Sequence, residues 1–241
     1  IGGSLLNFVS DGVVGATIGG GGATNYNGDS LPNSVTGDFG AVGGGAGNTA
    51  SFNATVGGGS GNSAGGDDST AAGGSGNQAN GGDSTVSGGS GNVAWGGSDA
   101  IGGGDNNSSY GGNVSTIAGG ENNFSGGSDA SIGGGNGNMV GDSYTTIGGG
   151  ANNTATNMSS VVSGGTNNVS GGYASAVGGG QDNTALGDWS TVSGGWLNQA
   201  AGDSATVGGG YGNYAVDSAT VAGGRGNAAS DYVTTVAGGL G

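Results

Sequence analysis

The chain contains no cysteine, no histidine and no lysine, with a single proline, Pro32, and a single arginine, Arg225. Each absence removes a class of function. Without thiols or imidazoles, cysteine and histidine catalysis and the usual zinc and iron–sulfur sites are excluded. One cation against 16 acidic residues, a formal net charge of −15, cannot neutralise a row of phosphates, so nucleic acid is excluded as a partner. The same imbalance makes an anionic membrane surface a poor partner, and no apolar run approaches the roughly 20 residues of a membrane span. Charged residues amount to 7% and apolar residues to 32%, against about 25% and about 45–50% in ordinary globular chains. A thick hydrophobic core is therefore not expected. The chain starts at Ile1 with no signal-peptide pattern and stops within a repeat at Gly241, which reads as a segment of something longer.

Glycine is what the chain has in excess, 69 of 241 residues. Such composition usually belongs to flexible linkers, but here the glycines are in register. An apolar residue precedes each glycine cluster, at Val42, Val56, Ala71, Val86, Ile101, Ile117, Ile132, Ile147, Val162, Val177, Val192, Val207, Val221 and Val236. Successive members lie 14 to 16 residues apart, most often 15. With this residue as position 0, positions +2 and +3 are glycine in every unit. Position +6 is always asparagine: Asn48, Asn62, Asn77, Asn92, Asn107, Asn123, Asn138, Asn153, Asn168, Asn183, Asn198, Asn213 and Asn227. Position +8 is mostly alanine or serine, and position −1 mostly threonine. A disordered linker has no reason to keep asparagines in phase, so this is a folded repeat array.

The period selects the architecture. About 15 residues are too few for helical repeats, which need roughly 33 or more. They suffice for two short strands and two turns, the coil of a parallel β-solenoid. The expected fold is all-β, with about fourteen such coils over residues 42–241. Residues 1–41 form irregular N-terminal coils with an inserted loop between Tyr26 and Asp38. Alternation places −2, 0 and +2 on one strand face, and +6, +8 and +10 on another. A large residue at 0 opposite a small one at +8 predicts a thin, flat interior. The Gly-Asp pairs Gly82-Asp83, Gly187-Asp188 and Gly202-Asp203 fit the second turn. Stacked coils bring equivalent asparagines about 4.8 Å apart, close enough for amide-to-amide hydrogen bonds along a structural ladder.

Units such as Ser84-Thr85-Val86-Ser87-Gly88-Gly89-Ser90-Gly91-Asn92-Val93-Ala94 resemble the head repeats of trimeric autotransporter adhesins, the YadA-like heads. The resemblance covers roughly residues 42–241. It implies a left-handed β-roll and a homotrimer of rolls packed side by side. It also implies display on a bacterial surface fibre, and similar repeats occur in phage tail fibres. This chain carries a glycine pair or triplet where those heads often have one glycine, and none of their coiled-coil stalk, neck or membrane barrel.

The function expected on these grounds is structural and adhesive. A rigid extracellular segment, on a cell or virion surface, would present repeated weak contacts to a host glycan or protein receptor, without catalysis and without inserting into a membrane itself. Recognition must then come from positions that vary. Position +4 includes Trp196, Tyr211 and Arg225 on consecutive coils; position +9 includes Trp95 and Tyr110, also consecutive; position +7 includes Phe124 and Met139. Trp196, Tyr211, Trp95 and Tyr110 are the candidate ligand-binding residues, with packing between chains as their alternative role. An ice-binding solenoid is the rival reading, because nine of thirteen residues at position −1 from Thr55 to Thr235 are threonine. A second threonine column is missing, since position −3 varies through Asn53, Asp83 and Trp189. For an enzyme only carboxylates and tyrosines are available. Asp67-Asp68 reads as a solvated turn, and no acidic column stacks over several coils. No catalytic residue, metal ligand or cofactor is assigned.

Overall fold

A computed structural model describes residues 1–241, all strand, turn or loop, with no helix. The chain divides into two compact units, Ile1–Asn122 and Asn123–Gly241. Each unit is a parallel β-solenoid, with about fourteen coils in the chain spaced about 15 residues apart.

In the first unit one sheet is built from two-residue strands at positions −1 and 0, from Thr17–Ile18 through Ala41–Val42 and Thr85–Val86 to Thr116–Ile117. A second sheet, at positions +7 and +8, runs from Phe8–Val9 through Thr49–Ala50 to Ser108–Ser109. In the second unit the corresponding sheets run from Ser131–Ile132 to Thr235–Val236 and from Phe124–Ser125 to Ala228–Ala229. Pairing is in register: Thr70 faces Thr85 and Ala71 faces Val86. The strands are short because the chain must turn every few residues, and stability comes from the ladder between coils rather than from strand length.

The interior is lined by the residues that the pattern predicts. Val56, Val86, Ile132 and Val192 are fully buried, opposite Ala64, Ala94, Val140 and Ala200, which are equally buried. Position +1 points outward, as alternation requires, and so does −1, which is exposed at Thr55, Thr116 and Thr146.

Two features depart from the simple coil of two strands and two turns. First, position +4 forms a third line of parallel bridges, one residue wide. In the first unit it passes from Ala46 to Glu121, and in the second from Asn136 through Trp196, Tyr211 and Arg225 to Leu240. Second, position +3 is glycine for two reasons at once. Gly135 has φ +95°, and a Cβ there would lie 2.0 Å from the carbonyl oxygen of Gly150 in the next coil.

The N-terminal coils carry an antiparallel hairpin, Ala23–Tyr26 with Asp29–Leu31. Around it the stack continues, Ser34 pairing with both Phe8 and Thr49. The one 16-residue step, Ile101 to Ile117, has its own repair. In regular coils the N–H at −2 bonds to a carbonyl three residues back, as Ser84 does to Gly81 at 3.2 Å. In the long coil the equivalent N–H, of Ser115, instead donates to the carboxyl of buried Asp99 at 2.9 Å. The same carboxyl accepts from the Gly96 N–H at 2.9 Å, the Ser109 hydroxyl at 2.7 Å and the Ser115 hydroxyl at 3.0 Å. A buried acid is tolerable only with such a full set of donors.

Candidate functional site

The asparagine column lies inside each unit, fully buried at Asn77, Asn138 and Asn198. Its bonding differs from a simple amide ladder. Asn138 Oδ1 accepts the backbone N–H of Asn153 at 3.0 Å. Asn138 Nδ2 donates to the Gly134 carbonyl of its own turn and to the Gly150 carbonyl of the next coil, both at 2.9 Å. Amide-to-amide contacts, such as Asn138 Nδ2 to Asn123 Oδ1 at 3.1 Å, are added to these. The main work is therefore sealing backbone groups at the glycine turn, where only a side chain with both donor and acceptor serves. Two further members, Asn7 and Asn33, belong to the column: Asn33 N–H donates to Asn7 Oδ1 at 2.8 Å, and Asn48 N–H to Asn33 Oδ1 at 3.0 Å. Asn33 lies 15 positions before Asn48 and so keeps the period, whereas the hairpin sets Asn7 a further 26 positions back and hides its phase.

Of the candidate aromatics Trp95, Tyr110 and Trp196 are exposed and Tyr211 is half-buried at the surface. In the first unit Trp95 and Tyr110, each 51% exposed, stack with ring centroids 6.3 Å apart and planes 19° from parallel. In the second unit Trp196 and Tyr211 meet edge to face, centroids 4.9 Å apart at 64°. Phe124 and Met139 face each other in register on the outer side of the second unit's +7 sheet.

The Trp196 region is the more fully built of these. Its backbone is fixed by the third ladder: Trp196 N–H donates to the Gly210 carbonyl, and its own carbonyl accepts from Gly212, both at 2.9 Å. Tyr211 and Arg225 are held the same way by Gly224 and Gly239. The indole is oriented by Nε1–H donating to Asp182 Oδ2 at 3.2 Å. Asp182 also accepts from Asn167 Nδ2 at 3.0 Å and Gln181 Nε2 at 2.9 Å. The Asn167 bond does most to lower the Asp182 pKa below its ordinary 3.8; desolvation opposes it, and the Gln181 and Trp196 bonds add to the lowering. The Arg225 guanidinium sits over the Tyr211 ring, 5.1 Å from its centroid. Trp196, Tyr211 and Arg225 together line an open cavity of about 290 Å³. Leu197, next to Trp196, holds φ +57° at a position occupied by Gly212 and Gly226 in the following coils. A bulky residue in left-handed backbone is a local strain of the kind that collects at functional surfaces.

One sequence expectation is overturned. An acidic column does stack over consecutive coils: Asp188, Asp203 and Asp217 at position −4. Tyr173 N–H donates to Asp188 Oδ1 at 2.8 Å, Asp188 N–H to Asp203 Oδ1 at 2.9 Å, and Asp203 N–H to Asp217 Oδ1 at 3.2 Å. It was concealed because the Gly-Asp pairs are not equivalent. Asp83 occupies the left-handed turn position, φ +56°, whereas Asp188 and Asp203 sit one place earlier and leave that position to Trp189 and Ser204.

No protein-family profile matches the chain, and no curated protein matches it in sequence.

Proposed function

We propose that the chain is a rigid display segment of an extracellular fibre, adhesive rather than catalytic, which works as a homotrimer and binds a surface glycan through its exposed aromatic columns. The observation that carries this reading is the division of labour within each coil. Residues of fixed type, at 0, +3, +6 and +8, point inward or seal turns, while Trp95, Tyr110, Trp196 and Tyr211 stand on the surface in neighbouring pairs. Aromatic faces presented at a fixed spacing suit the apolar faces of sugar rings, and three copies would add avidity to weak contacts. The resemblance to YadA-like heads and phage fibres supports the trimer and the surface location. So do Phe124, Met139 and Tyr214, 36–39% exposed on one sheet face, which packing between chains would cover.

Two measurements test the proposal. Light scattering should give a molar mass near three times 21.8 kDa. Replacing Trp196 and Tyr211 together with alanine should reduce binding to a glycan array at least tenfold without changing the melting temperature. A folded monomer rejects the trimer, and unchanged glycan binding rejects the aromatic site.

A second reading has its own observation: Thr191, Thr206 and Thr220 pair in register with one another, and Thr220 with Thr235, on one flat outer face. Such a column would order water as an ice-binding surface does. A monomer showing thermal hysteresis that Thr206→Lys abolishes would put this reading first.

A further inference from the structure

We infer that the Trp196–Tyr211–Arg225 cleft takes a saccharide bearing a single carboxylate, such as a uronic or sialic acid; this rests on the glycan-binding reading above and names the sugar class. The starting point is Arg225. It is the only cationic side chain in a molecule of net charge −15, yet its guanidinium pairs with no carboxylate. The Tyr211 ring steadies the guanidinium plane through cation–π attraction and leaves its N–H donors unused. A planar guanidinium with free donors matches a carboxylate as a two-point acceptor.

Trp196 supplies the second half of the site. With Nε1 committed to Asp182, the indole cannot rotate freely, and its apolar surface lies against the same cavity that Arg225 lines. The cavity, about 290 Å³, lies just below the range of about 300–1,000 Å³ usual for ligand sites, which favours one sugar ring over a long oligosaccharide. Asp182 is engaged by Asn167, Gln181 and Trp196, so its charge is already met by donors on its own surface.

Charge then limits the ligand to one acid. A polysulfated or polyuronic chain would lie along a surface carrying 16 acidic residues and one basic one. Its repeated charges would be repelled. A single carboxylate in direct contact with Arg225 escapes most of that field, because charges farther than about 8 Å are screened at physiological salt.

The test is NMR titration of the intact chain, following the Trp196 indole N–H, with five probes: methyl β-D-glucuronide, N-acetylneuraminic acid, methyl β-D-glucoside, acetate and heparin. At least one acidic monosaccharide should shift the Trp196 signal and bind at least tenfold more tightly than the glucoside, acetate or heparin. Arg225→Gln should remove that preference, and Trp196→Ala, followed through the backbone N–H signals of Tyr211 and Arg225, should remove the binding, with circular dichroism confirming that both variants fold. Equal binding of glucoside and acidic sugars, or acidic-sugar binding unaffected by Arg225→Gln, would overturn the carboxylate assignment while leaving a glycan site in place. Acetate or heparin binding as tightly as the acidic sugars would overturn it in favour of a bare anion site. No shift with any sugar would remove the saccharide site and the glycan reading of this cleft with it.

Discussion

At the scale of the residue, the ladder asparagine is the least replaceable side chain in the coil. Asn138 satisfies two glycine carbonyls and one backbone N–H that burial denies to water. Asn138→Ala strands all three at once, at about 1–3 kcal/mol for each buried group left unpaired. The expected loss is about 3–5 kcal/mol, read as a lower denaturation midpoint. Asn138→Asp should fare no better, because an aspartate keeps the acceptor and loses both donors. A loss under about 1 kcal/mol for Asn138→Ala would mean that water or a neighbouring amide replaces the missing bonds. The exposed carboxyl of Asp182 makes a different prediction. Its folded pKa is lowered, with the Asn167 bond as the main cause, so its contribution is complete above the ordinary value of 3.8 and fades only as pH falls through the lower folded value. The Trp196 indole N–H resonance should therefore titrate with a midpoint below 3.8. A midpoint at or above the ordinary aspartate value would show that the three donors do not favour the ionised carboxyl.

At the scale of the element, the sequence makes the regular coil legible and hides its exceptions. The valine–isoleucine column, the opposing alanines and the asparagines carry a one-to-one relation between residue type and environment. Period alone therefore locates the buried interior and the two sheets. The third ladder at position +4 escapes, because it is made by backbone groups and accepts Ser75, Glu121, Trp196 or Arg225 equally. Of the candidate site, Trp196, Tyr211 and Arg225 are visible as one column, but the roles of Asp182 and Asn167 are not: Asn167 is of the usual type for position +5, and nothing in the sequence says that Asp182 meets Trp196 one coil away. Asp99 is another exception. It replaces the serine or alanine of its column, and the reason is the extra residue in the following turn, which deprives Ser115 N–H of its usual carbonyl. Asp99→Ser should cost about 2–4 kcal/mol, the penalty for taking the carboxyl acceptor from the Ser115 and Gly96 N–H groups. Combining it with deletion of Gly112, which restores a 15-residue step, should recover most of that loss. If the deletion recovers nothing, Asp99 serves something other than the long coil.

At the scale of the molecule, charge is almost entirely of one sign, and its effect on stability can be separated from packing. Ordinary proteins respond weakly to salt because attractive and repulsive pairs are screened together. Here Arg225 is the only cationic side chain and pairs with no carboxylate, so added salt has repulsion to relieve and almost no attraction to weaken. The repulsion is most concentrated where Asp188, Asp203 and Asp217 follow one another on successive coils, about 4.8 Å per step. The melting temperature should therefore rise between 0.02 and about 0.5 M NaCl, most steeply while the Debye length shrinks from tens of ångströms to a few. Asp203→Asn sharpens the test, because the amide oxygen can still accept the Asp188 N–H while the central charge of the column is gone. The variant should melt higher than the parent at low salt and show a smaller gain as salt is added. A parent whose melting temperature falls with salt, or an Asp203→Asn variant with undiminished salt dependence, would move the source of the effect away from this column and back to the backbone dipoles of the stack.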